Sequence, residues 1–176
     1  IDLAPTLMSL IGKEPAAHFQ GHAFMGKFQS SAPQYSYGFR GRMAERYDLV
    51  RSVRDDNFLY IRHFMPHKVY GQYLDYMFKT PTTKKWQALY EAGKINPEQS
   101  LFWQRKPGEE LYDLRSDRDE VNNLAKSEQH KETLKRFRKE LRRFQFEIRD
   151  IGLLPEEEIH SRAVNSSPYE VGQDPK

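Results

Sequence analysis

One apolar stripe in the last third of this 176-residue chain constrains its fold more than any other feature. Large apolar side chains recur at spacings of three and four between residues 127 and 151, which places them on one face of a long helix. They are Leu134, Phe137, Leu141, Phe144, Ile148 and Ile151. Ser127 is a suitable N-cap, and Gly152 is a suitable stop. An amphipathic helix of this length must cover an apolar layer of the same domain.

The middle of the chain has the composition of β-strands. Tyr47–Val53 and Asn57–Phe64 are rich in β-branched and aromatic residues, and the turn residues Arg54–Asn57 predict that they form a hairpin. Further strands are predicted at Gln34–Arg40 and at Glu109–Leu114. The sequence therefore predicts an α+β fold, with a small antiparallel sheet of about four strands packed by the long helix.

Helical patterns flank and interrupt these strands. Helices are predicted at residues 2–11, 83–93 and 97–104, and a short one is predicted after Pro155. The stretch from Asn165 onward is polar and interrupted by proline and glycine, which predicts an extended tail. The chain enters its first helical pattern directly at Ile1-Asp2-Leu3. We therefore expect it to be an internal piece of a longer protein.

Composition excludes several kinds of chemistry. The chain has no cysteine, so it can form no disulfide, thiolate metal site or cysteine nucleophile. The net charge of +3 is a mild bias towards anionic partners. Basic residues of the long helix are interspersed with acidic ones, so no nucleic-acid partner is predicted. No apolar run reaches the roughly 20 residues of a membrane span, so no membrane partner is predicted.

The stretch GHAFMGKF, residues 21–28, nearly matches a phosphate-binding loop. Its two glycines and Lys27 have the required spacing, but Phe28 occupies the position of the Mg²⁺-binding hydroxyl. No buried strand is predicted before it and no helix after it. Nucleotide binding is therefore not predicted. His63 and His67 have the spacing of a helical metal pair, but Pro66 lies between them, and no metal site is predicted.

Arginines cluster in the stretch FRGRMAER, between two predicted strands. Arg40, Arg42 and Arg46 carry guanidinium forks that suit sulfate, phosphate and carboxylate oxygens, and Gly38 and Gly41 make the backbone compact there. The alternative is that these arginines only pair with Glu45 and Asp48. The residues leave both interpretations open.

Three segments together resemble the sulfatase family of the alkaline-phosphatase superfamily. They are IDLAPTLMSLIGKEPAAHFQGHAFMG (1–26), VRSVRDDNFLYIRHF (50–64) and GEELYDLRSDRDEVNNLA (108–125). The third is the most specific, although Arg118 stands where the family usually has proline, and Ala23 replaces a usual serine in the first. The stretch MPHKVYGQYLDYM (65–77) is most similar to sulfamidase-like enzymes and bacterial glycan sulfatases.

The resemblance implies a hydrolase of sulfate esters or N-sulfates, most simply those of a sulfated sugar. Family members use a formylglycine in the pattern C/S-x-P-x-R and a calcium ion, which lie in a larger N-terminal α/β domain. This chain has no such pattern, so we expect no catalytic residue, no metal ligand and no activity from this segment alone. The resemblance also implies a periplasmic or secreted location.

The implied organisation has three parts. Residues 1–30 are expected to be the last helix and loop of the large sulfatase domain, residues 31–152 the C-terminal α+β subdomain, and residues 153–176 a short helix and tail. The expected partners are that N-terminal domain and a sulfated saccharide, held by Arg42 and Arg46, with Arg40 and His67 beside them. Two alternatives stay open. One is a non-catalytic module that binds an acidic partner, and the other is a phosphate or phosphonate ester hydrolase of the same superfamily.

Overall fold

A computed structural model describes residues 1–173 of the chain. It divides into two compact units, Ile1–Ser36 and the part from Tyr37 onward. The sequence-based boundary at residue 30 precedes this division by a few residues. Within the described residues, no helix combines the length and the apolar character needed to cross a membrane.

The first unit is built on helix α1, Leu3–Leu10. Its buried residues are Pro5, Thr6 and Ser9. The predicted apolar stripe lies on the opposite, exposed side, with Leu3 72% and Leu7 63% exposed. In this structure α1 therefore packs its small side chains and leaves its large apolar ones uncovered.

The stretch GHAFMGKF, residues 21–28, which nearly matches a phosphate-binding loop, folds back onto α1. Gly26 has φ +92, and a Cβ on it would lie 2.6 Å from the carbonyl carbon of Ser9, so the close approach requires glycine. The Phe28 amide donates to Ser9 Oγ at 2.8 Å. Lys27 is exposed, with its ammonium 5.3 Å from the Phe28 ring centroid. Gly26 thus shapes a loop that packs on α1, and Lys27 takes part through its amide, which donates to the Ser9 carbonyl at 3.2 Å.

The second unit contains a four-stranded sheet in the order β1-β2-β3-β4. The strands are β1 (Ser36–Arg40), β2 (Val50–Arg54), β3 (Phe58–His63) and β4 (Glu109–Asp113). β2 pairs antiparallel with β3, and β3 pairs antiparallel with β4. The predicted hairpin and the predicted α+β fold are confirmed.

The long helix α5, Lys131–Glu147, covers one face of this sheet. Its stripe residues Leu134, Phe137 and Leu141 are buried, as predicted. Phe137 is fully buried beside Tyr60 of β3. Burying a Phe or Leu side chain contributes about 1.5–3 kcal/mol, so these buried stripe residues stabilise the packing of α5 on the sheet.

The helix ends earlier than its apolar pattern predicted. α5 stops at Glu147, Arg149 takes a left-handed φ of +49, and a 3₁₀ turn occupies Ile151–Leu153. Asp150 leaves the helix to bind Arg51 of β2. The predicted continuation to Ile151 is wrong: the helix ends in a local C-terminal motif, in which the amides of Arg149 and Asp150 donate to the carbonyls of Phe146 and Gln145.

The segment between β3 and β4 forms a small aromatic cluster of its own. It holds helices α2 (Asp75–Phe78), α3 (Pro81–Glu91) and α4 (Pro97–Ser100), followed by a 3₁₀ turn at Leu101–Trp103. The single helix predicted over residues 97–104 is thus shorter than expected and changes to 3₁₀ geometry. Rings of α3 and the 3₁₀ turn stack, with centroids 4.6 Å apart for Trp86 and Phe102.

Two short helices end the described part of the chain. α6, Glu156–Arg162, is the helix predicted after Pro155. The stretch from Asn165 was predicted to be extended, but it contains α7, Pro168–Gln173. This helix begins with a local cap, since the Ser167 hydroxyl accepts from the Glu170 amide at 3.2 Å. Residues 174–176 of the predicted tail lie outside the described residues.

Candidate functional site

The predicted arginine cluster lies on a tight loop, residues 40–46, which we call the basic loop. It begins at the last residue of β1, and Met43 and Arg46 exchange backbone hydrogen bonds of 2.8 and 3.1 Å. Ala44 takes the left-handed φ of +51 that closes the turn. Gly41 does not have a positive φ, and a Cβ added to it would meet no atom within 4 Å. The turn therefore does not require glycine at this position.

Two of the three arginines carry buried donors without a partner. Arg40 Nη2 and Arg46 Nε are buried, and neither forms a hydrogen bond to any residue the structure describes. A buried N–H left unpaired costs about 1–3 kcal/mol, and more on a charged group. An anion bound at these atoms would supply the missing acceptors.

Arg42 is the exposed member of the cluster. Its Nη2 lies 3.3 Å from Glu156 Oε2, with both side chains more than half exposed. An exposed pair of this kind contributes about 0–1 kcal/mol, so a ligand could displace it at little cost.

The carboxylates offered as alternative partners are engaged elsewhere. Glu45 Oε1 accepts the Asp75 amide at 2.6 Å. Asp48 is completely buried and forms a salt bridge with Lys106. Neither carboxylate pairs with an arginine of the basic loop.

His67 lies on an exposed turn after β3. The ammonium of its neighbour Lys68 lies 5.9 Å from the ring centroid of Tyr47, which follows Arg46. This contact brings the turn and the end of the basic loop close together. Within residues 1–173, no hydrogen bond or ion pair joins His67 to the three arginines.

A buried hydrogen-bond hub, which the sequence did not predict, lies on the sheet face opposite α5. Glu110 of β4 is its centre. Glu110 Oε1 lies 2.9 Å from His63 Nε2 and accepts the Tyr70 hydroxyl, and Glu110 Oε2 accepts the Tyr112 hydroxyl at 3.1 Å. Burial, together with the charge of Glu110, raises the pKa of Tyr112 well above its ordinary range.

This hub is built to hold the sheet and its following segment together. The alternation of EELYDL places Glu110 and Tyr112 on one face and Leu111 on the other, and this was the signal available in the sequence. Its groups satisfy one another, except for the buried Nδ1 of His63, which has no partner among the described residues. The hub therefore fixes the base from which the turn carrying His67 projects.

No metal centre is visible in the part of the chain that the structure describes. Residues 1–173 contain no group of three or more His, Asp or Glu side chains placed to hold a metal ion. His63 is bound to Glu110 and His67 is exposed on another segment, so the two are not a ligand pair.

A curated sulfatase is similar to this chain over its whole length. This relative is the ulvan-active sulfatase of Formosa agariphila, with 38% identity across 179 aligned residues. The predicted resemblance to the sulfatase family is confirmed. The chain spans 30% of the length of that relative. No family model matches the chain.

Two solved structures share the fold of this sulfatase-like chain. One is a 2-O GAG sulfatase, with a TM-score of 0.53, 20% identity, and coverage of 83% of this chain and 24% of that one. The other was solved in complex with its substrate D-glucosamine-2-N,6-O-disulfate, with a TM-score of 0.51, 16% identity, and coverage of 85% and 24%. In both proteins the matched fold is therefore a minor part of a longer chain.

Proposed function

We propose that this chain is the C-terminal part of a sulfatase that removes sulfate from a sulfated sugar, as an ester or an N-sulfate. The observation that carries the proposal is the 38% identity to an ulvan-active sulfatase across the entire chain. One fold neighbour is a 2-O GAG sulfatase, and the other binds a disulfated glucosamine as its substrate. Both agree with this class of ligand.

The reacting groups belong to the part of the protein that this chain does not include. The family resemblance implies a formylglycine and a calcium ion in an N-terminal α/β domain. The described residues offer no cluster that could hold that ion, so we assign none of them to it. The role left for this segment is to bind and orient the substrate.

The basic loop is the site we propose for that role. Arg40 and Arg46 present buried, unpartnered N–H groups, and sulfate or carboxylate oxygens are acceptors that match the guanidinium fork. Arg42 would exchange its exposed partner Glu156 for the sugar. His67, near the end of the loop, would contact the same saccharide.

Binding at these arginines would accelerate hydrolysis by positioning the sulfate group at the reacting centre. Interactions with the non-reacting part of a substrate fix its geometry and lower the entropic cost of reaching the transition state. The basic loop is suited to this, because its turn is closed by two backbone hydrogen bonds rather than by a mobile glycine.

The test uses the full-length protein. We expect it to release sulfate from ulvan oligosaccharides and from a small aryl sulfate. Faster hydrolysis of a matched aryl phosphate or phosphonate would replace the proposal with the alternative hydrolase class. Absence of hydrolysis of any of these esters by correctly matured protein would instead support a non-catalytic binding module.

A further inference from the structure

An open groove runs between β3, β4 and the outer side of α5. It has a volume of about 570 Å³, within the range of small-ligand sites. Phe64 is its accessible apolar residue, the nearly buried Tyr60 and Leu141 lie at its floor, and Gln145 supplies an amide. Its charged residues are Arg62, Arg138, Arg142 and Glu109. We call it the arginine groove.

The one carboxylate in the groove is already saturated. Glu109 accepts the Tyr60 hydroxyl at 2.6 Å and two hydrogen bonds from Arg138, of which Nε lies at 2.7 Å. The Arg138 hydrogen bonds are the main reason that the pKa of Glu109 lies below its ordinary range, despite partial burial. Glu109 therefore stays charged and neutralises Arg138.

The positive charges of the other two arginines, Arg62 and Arg142, are not fully neutralised by a carboxylate. Arg62 stands directly across from Glu109 in the β3–β4 register, but its Nη1 is 3.6 Å from the carboxylate and its side chain is 42% exposed. Arg142 has no carboxylate within salt-bridge distance in residues 1–173. Its guanidinium carbon lies 5.5 Å from the ring centroid of Phe146.

Aromatic rings hold these two guanidinium groups next to the groove. The guanidinium carbon of Arg62 lies 5.7 Å from the ring centroid of Phe64. That of Arg142 lies 5.5 Å from the ring centroid of Phe146. A cation–π contact restrains the arginine without using its hydrogen-bond donors. The N–H groups of both forks thus remain available to an oxyanion.

We propose that the arginine groove binds a stretch of a sulfated glycan chain, with Arg62 and Arg142 each contacting a sulfate or carboxylate. The identity of the ligand rests on the proposed function. The groove is open, as a polymer requires, and its accessible ring, that of Phe64, can contact a sugar face. Its site residues are separate from Arg40, Arg42, Arg46 and His67.

Charge distribution favours a glycan over nucleic acid. The exposed side of α5 also carries Glu132 and Glu147, which interrupt its positive charge. A duplex binder needs a continuous basic surface that neutralises several phosphates in a row. The arginine groove presents Arg142, unpaired within residues 1–173, and Arg62, only loosely paired with Glu109, which matches widely spaced sulfates instead.

The experiment measures binding by affinity electrophoresis of the full-length protein in gels that contain ulvan or chemically desulfated ulvan. Arg142→Ala is the test variant, because Arg142 makes no ion pair that folding would lose. Lys139→Ala is its matched control: it removes one positive charge from the same helix at an exposed position outside the groove lining.

We expect Arg142→Ala to raise the Kd for ulvan about ten-fold, the loss of one charged hydrogen bond, and Lys139→Ala to leave it within two-fold. Binding of desulfated ulvan should be weaker, and Arg142→Ala should change it less than it changes the binding of ulvan. The proposal is overturned if the two variants behave alike. It is also overturned if Arg142 governs binding of double-stranded DNA more strongly than binding of ulvan.

Sulfate release from an aryl sulfate, measured in parallel, separates the two proposals. A protein that releases no sulfate, yet binds ulvan through Arg142, refutes the proposed function and supports the groove. A protein that releases sulfate, but binds ulvan equally well without Arg142, refutes the groove and supports the proposed function.

Discussion

Arg51 of β2 and Asp150, beyond the end of α5, form a two-point salt bridge between segments far apart in sequence. Arg51 Nε lies 2.7 Å from Oδ2 of Asp150, and Nη2 lies 2.9 Å from Oδ1. The two side chains are 7% and 9% exposed. Arg51 Nη1 also donates to the carbonyls of Val50 and Arg40. One guanidinium thus connects β1, β2 and the end of the long helix.

Breaking this pair should destabilise the fold strongly. Asp150→Ala leaves the Arg51 charge buried without its partner, which costs about 3–5 kcal/mol in the free energy of unfolding. The matched control is Glu158→Ala, which removes an exposed i,i+4 pair with Arg162 and should cost under about 1 kcal/mol. Urea unfolding checks both, and equal costs for the two variants would contradict the prediction.

Acid should remove the contribution of Asp150. Burial opposes its charged form, but the hydrogen bonds and charge of Arg51 outweigh burial, so the pKa of Asp150 lies below its ordinary value. A lowered folded-state pKa gives stability that is complete above the unfolded pKa of about 3.9 and is lost as the pH falls through the folded pKa.

The stabilities of wild type and Asp150→Asn should therefore differ most at neutral pH and converge as the pH drops below about 4. Urea midpoints measured from pH 7 to pH 2.5 test this. Curves that stay parallel across that range would show that Asp150 titrates with the same pKa in the folded and unfolded chains.

The arginines of the basic loop should act on the glycan more than on a small substrate. In the full-length protein, Arg46→Ala or Arg40→Ala should lower kcat/KM for a sulfated glycan by roughly 10- to 150-fold, the worth of one charged hydrogen bond. Arg42→Ala should cost less, since its side chain is more than half exposed and solvent weakens its charged contacts.

The readout for these variants is the ratio of kcat/KM on ulvan oligosaccharides to kcat/KM on an aryl sulfate. Glu156→Ala, which frees Arg42 without removing an arginine, is the control and should not lower this ratio. Equal losses on both substrates for Arg46→Ala would indicate damaged folding instead of a lost glycan contact.

The exposed side of α1 should make the isolated 176-residue chain associate with itself. Leu3, Leu7, Leu10 and Ile11 are each more than half exposed, and covering one such side chain contributes about 1.5–3 kcal/mol. We expect concentration-dependent oligomers by analytical ultracentrifugation, and Leu7→Glu should reduce them. Phe39→Glu, at an even more exposed apolar position outside α1, is the comparison. A monomeric wild-type chain would disprove this.

Local sequence patterns predicted most of the fold. The stripe of α5, the hairpin turn at Arg54–Asn57 and the alternation in β4 each specify an element through neighbours a few residues away. The resemblance found in the same segments was confirmed by similarity across the full chain. The end of α5 was missed because its left-handed closing residue is Arg149, where no glycine signals a stop. Long-range pairing also left no local signal: Asp150, just beyond this turn, binds Arg51 of β2.

The candidate sites were harder to predict for the same reason. The sequence identified the cluster of Arg40, Arg42 and Arg46, but which of them lacks a partner depends on where Glu156 lies. The arginine groove requires the β3–β4 register, which sets Arg62 opposite Glu109, and the rotation of α5, which brings Arg142 alongside. Neither is readable from spacing alone.

The segment that connects β3 to β4 leaves the sheet and returns to it, and its two ends pair with each other. Val69 bridges Arg105, and the Gly71 amide donates to the Phe102 carbonyl at 2.8 Å. Between these pairs the segment packs on its own aromatic rings, and two hydrogen bonds join it to the chain before β2, from the Asp75 amide to Glu45 and from Gln72 to Asp48. Lengthening a closed loop costs only about 0.6 kcal/mol per doubling. Natural variation or protein engineering could therefore replace the segment between β3 and β4 with one of another length while the two strands keep their register.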